Sequence, residues 1–127
     1  MVRWIRGAKT GEIGRQGEAL AIRHLRAQGY TIERTNVRFP AGELDIVARD
    51  GQTLCFIEVR SRSSSDWGGP LASITAKKRR RMIRAARWYL SRYRVTPCEM
   101  RFDVVAIEWH EPHPPVISLL RGAFEAC

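Results

Sequence analysis

The 127-residue sequence has no apolar run of about 18 residues, so no stretch of it is suited to crossing a bilayer as a helix. Its opening stretch, MVRWIRGAKTGEIGRQG, is basic but lacks the apolar segment of a signal peptide. The expected location is the cytosol. Cysteine is scarce: Cys55, Cys98 and Cys127 are odd in number and far apart. That fits neither a disulfide framework nor a metal-ligand spacing. They read as reduced thiols, Cys55 buried in a strand. Histidine is equally scarce, with three residues, of which His110 and His113 sit in HEPH with no further ligands nearby. A zinc site is therefore not expected, and HEPH reads as a polar turn. No internal repeat is visible. Acidic residues are the minority, 13 Asp and Glu against 22 Lys and Arg, for a net charge of +9. This excess favours polyanions as partners, nucleic acid before an anionic membrane surface.

What remains is a chain able to bury roughly two-thirds of its unfolded surface, enough to fold without disulfide or metal. One domain over 1–127 is expected. Residues 12–28 have helical patterning, ended by Gly29 in a left-handed C-terminal position. Strands are expected over 30–38, 43–49, 53–60, 100–109 and 114–120, and a second helix over 74–94. SRSSSDWGGPLAS, 61–73, reads as an exposed, mobile loop. Helix, three strands, helix and two strands make an α/β chain with a mixed central sheet flanked by helices.

The stretch GELDIVARDGQTLCFIEVR carries Glu43, Asp45, Glu58 and Arg60 among aliphatic residues. Asp50-Gly51 predicts a two-residue turn that sets Arg49 against Gln52, Asp45 against Phe56 and Glu43 against Glu58. Alternation then places Glu43, Asp45, Phe56, Glu58 and Arg60 on one face, and a shift of the pairing by two keeps those faces. Asp45 and Glu58 would lie within about 5–8 Å at Cβ. Two carboxylates that close repel, and a divalent cation removes the cost. Oxygen-only ligands suit Mg²⁺ or Mn²⁺, and Arg60 would meet a phosphate or developing charge. The competing reading is the solvated face of an edge hairpin, with Arg60 simply paired to Glu58.

In the first helix, Gly14, Glu18, Ala21, Ile22 and Leu25 share the inward stripe. Glu18 stands there in place of an aliphatic residue, and a carboxylate so placed needs a partner. A metal at the sheet rim is one candidate, an arginine another. In the second helix, Lys77, Arg80, Arg81, Arg84, Arg87 and Trp88 fall on one side, opposite Met82, Ile83, Ala86, Tyr89 and Leu90. A basic face with an aromatic in it suits a phosphate backbone and a stacked base. The alternative is a solvated helix with Trp88 tucked under arginine stems. A membrane-surface role is disfavoured, because the apolar face is needed for the core. Asp103, in RFDVV, reads as a structural hydrogen-bonding partner.

GRQGEALAIRHLRAQGYTIERTNVR, GELDIVARDGQTLCFIEVRSR and RFDVVAIE resemble the YraN-like bacterial proteins, described as endonucleases. The resemblance spans Gly14 to about Phe124. It implies a restriction-endonuclease-like fold, similar to Holliday-junction resolvases of the PD-(D/E)xK nuclease superfamily. It places the helix-one acid on Glu18, the hairpin acid on Asp45 and the E-x-K pair on Glu58 and Arg60. The last position departs: the family looks like EVKTR where this chain has EVRSR. Arginine keeps the charge but is excluded from general-base work, and its planar fork places donors differently. The resulting expectation is an Mg²⁺-dependent (or Mn²⁺-dependent) endonuclease acting on DNA, branched DNA included. Glu18, Asp45 and Glu58 would hold metal with a carbonyl near Val59, and Glu43 would support them. A DNA-binding protein of nuclease ancestry that no longer cleaves, and an RNA-binding or RNA-processing protein, remain open. A resolvase-like role would need a homodimer, for which the chain shows no obvious surface.

Overall fold

The computed structural model describes residues 11–63 and 74–126. Helix α1 (Gly11–Ala27) leads into strands β1 (Tyr30–Phe39), β2 (Gly42–Asp50) and β3 (Thr53–Ser63). Helix α2 (Ala76–Arg92) follows, then β4 (Met100–His110) and β5 (His113–Phe124). The five strands lie in sequence order in one sheet. Three pairings are antiparallel, and β3–β4 alone is parallel. A parallel pair cannot be joined by a tight turn, and the connection that carries α2 fills that role. The fold is thus α/β with a mixed sheet and a helix on each face, consistent with a restriction-endonuclease-like architecture.

Each face has its own core. On one side Ala21 and Leu25 of α1 pack with Tyr30, Ile46, Ala48, Cys55, Ile57, Val59, Val105 and Ile107. On the other, Met82, Ala85, Ala86 and Tyr89 of α2 pack with Val37, Leu44, Val47, Leu54, Phe56 and Phe102. Strands buried on both faces read as near-continuous apolar runs, which is why β2, β3 and β4 carry them. Gly17 brings α1 close to the sheet: a Cβ there would lie 3.6 Å from Ile107 Cδ1. The inward line of α1 is therefore Gly17–Ala21–Leu25. Leu20, off the predicted stripe, packs against this core, and Glu18 sits on its flank.

Two local expectations change. The β2–β3 turn is Gly51-Gln52, with Gly51 at φ +62°, and Asp50 pairs with Thr53. Every partner shifts by two, so Val47 pairs with Phe56 and Ile46 with Ile57, and the rung after them points from Asp45 to Glu58 rather than to Phe56. Asp50 stays in the ladder because Arg101 and Arg121 hold its carboxylate at 2.8 and 3.3 Å. The serine-rich segment read as a loop from 61 begins as strand. Ser61, Arg62 and Ser63 pair with Ile107, Glu108 and Trp109, and Trp109 Nε1 donates to Ser61 Oγ at 2.7 Å. The rest of that segment, 64–73, lies outside the described residues, as does Cys127. HEPH spans the turn between β4 and β5, as expected.

Candidate functional site

The β2–β3 ladder runs from Asp50↔Thr53 to Ile46↔Ile57 and stops there. The next rung would be Asp45 opposite Glu58. Instead, the Asp45 side chain takes over from the backbone: Val59 N–H donates to Asp45 Oδ2 at 2.9 Å. Leu44 and Val47 pack on the α2 side, while Ile46 and Ala48 pack on the α1 side. Two residues three apart on one side mean that alternation fails between Leu44 and Ile46. Asp45 sits at the failure, so a strict two-residue period does not assign its face or that of Glu43. Across the β1–β2 ladder, Asn36 occupies the place between Thr35↔Ile46 and Val37↔Leu44, with φ +53°. Both strands are thus irregular at the same level. Irregularities of this kind recur where a strand must re-aim a side chain.

Asp45 and Glu58 stand at this break, and Glu18 is tied to it through Asn36. Asp45 and Glu58 are buried, at 5% and 7% exposure. Buried carboxylates require partners, and Glu58 Oε2 has Lys78 Nζ at 3.4 Å, from the first turn of α2. Glu18 reaches in from α1 and accepts from Asn36 Nδ2 at 2.8 Å. Among the described residues, no three Asp, Glu, His or Cys side chains converge as they stand into a group that could hold a metal. Arg60 follows Glu58 on β3, and its Nε is buried with no hydrogen-bond partner among the described residues. Glu43 points elsewhere, to an exposed pair with Arg38 at 3.3 Å.

Lys78 was not singled out by sequence, yet the signal was present. It lies four residues before Met82 and seven before Ala85, on the buried stripe of α2. A charged residue at the spacing of buried aliphatic ones needs a partner. Its place is fixed by the helix start: Thr75 caps α2, its Oγ1 accepting from Lys78 N–H at 3.1 Å. Lys78 also lines a cleft of about 460 Å³ between α2 and the β1–β2 turn, with Arg38, Phe39, Gly42, Glu43 and Arg81. The turn is pressed against the helix there, and a Cβ on Gly42 would meet Arg81 O at 3.3 Å.

The outer face of α2 is as predicted: Lys77, Arg80, Arg81, Arg84, Arg87 and Trp88 all lie on its solvent side. Trp88 is not tucked under arginine stems. It is half exposed and stacks on Phe39, ring centroids 6.1 Å apart at 20°. Phe39 and Arg81 line the same cleft as Lys78, so the aromatic pair and the basic face adjoin it.

Elsewhere, Asp103 is fully buried and accepts from Tyr30 Oη at 2.7 Å, Arg101 Nε at 2.8 Å and Gly122 N at 2.9 Å. Burial alone would raise its carboxyl, but the bonds from Arg101, Gly122 and Tyr30 outweigh it and hold the group below the ordinary carboxylate range. Asp103 is the structural partner the sequence suggested. Burial, with Asp103 near, pushes the Cys55 thiol up to about 12, so it is inert at neutral pH.

Residues 17–107 match the family model described as uncharacterised protein family UPF0102. A UPF0102 protein of Chlorobium chlorochromatii is 47% identical over 86% of this chain and 84% of its own length. One of Desulfosudis oleivorans is 44% identical over 91% of each. One of Desulfitobacterium hafniense is 46% identical over 87% of this chain and 93% of its own. The chain belongs to the UPF0102 family, the YraN-like group that its motifs resemble.

Proposed function

We propose that this UPF0102 chain is a metal-dependent endonuclease of the PD-(D/E)xK type, working on DNA in the cytosol. The observation that carries the reading is the pair of buried carboxylates, Asp45 and Glu58, at the end of the β2–β3 ladder. Such a pair contributes nothing to a core that aliphatic side chains would not supply more cheaply. The donor set is oxygen only, which fits Mg²⁺ or Mn²⁺. Asp45, Glu58 and Glu18 would hold the ion, with a carbonyl near Val59. When bound it supplies a water of lowered pKa and charge neutralisation at the phosphate. The chain's own residues do the rest. The arginines on the outer face of α2 track the backbone of the nucleic acid. Trp88, presented by Phe39, offers a ring to an unpaired base. Arg60 carries a guanidinium to the phosphate side of Glu58, and Glu43 orders the cleft through Arg38.

The test is cleavage by the purified chain of labelled branched, single-stranded and duplex DNA, and of matched RNA. It is run with Mg²⁺, with Mn²⁺ and with chelator. Metal-dependent cutting that Asp45→Asn abolishes supports the reading. Tight, salt-sensitive binding with no cutting in any metal would favour the second reading, a binding protein of nuclease ancestry. Arg60 in place of lysine is the observation behind that alternative. Preference for RNA would redirect the substrate and leave the site assignment intact.

A further inference from the structure

The strand position that the resemblance assigns to lysine holds Arg60, yet the acidic site does have a lysine. Lys78 Nζ lies 3.4 Å from Glu58 Oε2, delivered from α2 rather than from β3. Its surroundings differ from those of Arg60 in two ways that matter. The Lys78 side chain is about one-third exposed, at 36%, whereas that of Glu58 is nearly covered, at 9%. The ammonium therefore stands at the boundary between buried acid and open cleft. Arg60, in contrast, has its Nε buried and unpartnered among the described residues. A compact ammonium on a flexible four-carbon stem can leave one oxygen for another a few ångströms away, which a planar fork cannot do without losing its geometry.

We infer that Lys78 is the catalytic cation of this site, supplying from α2 the ammonium that β3 lacks. In the absence of nucleic acid, Lys78 neutralises Glu58. With a nucleic-acid strand in the cleft, Lys78 turns to the non-bridging oxygens of the scissile phosphate and stabilises the charge that develops there. Three features support the second posture. The cleft that Lys78 lines also carries Arg38 and Arg81, so a phosphate there would be surrounded by cations. The Thr75 cap fixes the backbone of Lys78, so only its side chain needs to move. Arg81 joins the solvent face of α2 to the cleft, and Trp88 stacks on Phe39, which also lines it, so a strand on that face can reach the cleft. The inference rests on the endonuclease reading and names which residue completes it.

The experiment compares the original chain with Lys78→Met, which keeps the apolar stem, Lys78→Arg, and the double variant Lys78→Met/Arg60→Lys. Mn²⁺ binding is measured by calorimetry, and kcat and KM on one labelled single-stranded oligonucleotide. Lys78→Met should lower kcat by about 100-fold, the usual loss of one transition-state donor, with KM within about threefold. Lys78→Arg, which keeps the charge but not the compact ammonium, should fall between the two. Mn²⁺ should bind Lys78→Met at least as tightly as it binds the original chain, because the ammonium no longer competes for Glu58. Moving the ammonium to β3 in the double variant should restore kcat by about tenfold or more, whereas a merely structural lysine would not be replaced from position 60. If Lys78→Met does not fold, Lys78→Gln takes its place with the same expectations. A Lys78 variant that binds Mn²⁺ and cuts as fast as the original chain overturns the inference and leaves the nuclease reading standing. An original chain that neither binds Mn²⁺ nor cuts overturns both.

Discussion

Asp103 and Glu58 are buried carboxylates on adjacent strands, one rung apart, since β4 pairs Asp103 with Ile57 and Val104 with Glu58. They face opposite helices. Asp103 shares its side with Tyr30 and α1, and its oxygens meet a phenol, a guanidinium and a backbone N–H, all within 3.0 Å. Arg101 in turn bridges to Asp50, which Arg121 also holds. Glu58 meets the ammonium of a partly exposed lysine at 3.4 Å. One carboxylate is enclosed by short, planar, multiply bonded donors. The other has among its donors a single ammonium on a flexible stem, which itself lines a cleft. The first arrangement locks strands together and the second keeps a charge exchangeable. Burial alone does not separate a structural acid from a working one, whereas the nature of its donors does.

The largest expected effect tests that contrast directly. Asp103→Leu strands Arg101 and Tyr30 without their acceptor and should cost about 3–5 kcal/mol of stability, as breaking buried pairs does. Glu58→Gln should cost about 1 kcal/mol or less, because Lys78 can turn to water. Urea unfolding of both variants measures this, and equal losses would erase the distinction. pH offers an independent view. The Asp103 and Asp50 carboxyls are both held below their ordinary value of 3.8, Asp50 chiefly by its hydrogen bond from Arg101. Their contribution is present above that pH and lost as pH falls through the lowered folded values, because the unfolded chain binds the protons first. Asp103→Asn should flatten this acid limb, read by thermal melts from about pH 5 downward.

The second expectation concerns the exchangeable end. At a concentration about 100 times its dissociation constant, Mg²⁺ or Mn²⁺ should stabilise the original chain by about 2.7 kcal/mol, by mass action on the folded state. Asp45→Asn with Glu58→Gln should remove the increment entirely, while Asp103→Asn should leave it in place. Melting curves with and without metal decide the matter. An increment that survives the loss of both Asp45 and Glu58 would move the cation elsewhere on the molecule.

A smaller effect belongs to the surface of α2. Changing Arg80, Arg84 and Arg87 together to Ala removes three cations from its outer face. The slope of log affinity against log salt for duplex DNA should then fall by about 2–3, near 0.9 for each phosphate left without its cation. An unchanged slope would take this helix out of the interface.

The fold was largely readable because both helices and all five strands have strong local patterns, and tight turn signals separate them. Asp45 and Glu58 were readable because each breaks an apolar strand pattern, whereas Glu18, read on the inward stripe of α1, lies on its flank. Lys78 was not singled out, because a basic helix hides one more cation. The failed alternation at Asp45 was not legible, since it depends on Asn36 and Val59, residues brought beside it by pairing rather than by sequence. The strand character of Ser61–Ser63 was hidden for a similar reason. Its support comes from β4, more than forty residues later, through Trp109 and Glu108. Composition marks serine as loop-forming, and the parallel partner overrides it.

The smallest expected effect is that of Arg60→Lys alone, and its smallness carries information. Read from the motif, this change restores the family pattern and should raise cleavage. Read from the structure, it adds a second ammonium to a site that already has Lys78 at 3.4 Å from Glu58. The rate should then change by about twofold or less, because a transition-state donor already in place leaves little for another to supply. Stability should hold or rise by up to about 1 kcal/mol, since the change removes the buried Nε of Arg60, which has no partner among the described residues. Both quantities come from the same preparations, by single-turnover cleavage and by urea unfolding. A tenfold gain in rate would mean that the site lacks an ammonium after all, and that Lys78 serves only to neutralise Glu58. A tenfold loss would mean that the guanidinium itself touches the phosphate, so that Arg60 and Lys78 divide the work. The two-residue difference between EVRSR and EVKTR would then mark an altered site with its own chemistry, in which the acids stayed in the sheet while the cation was shared with the helix.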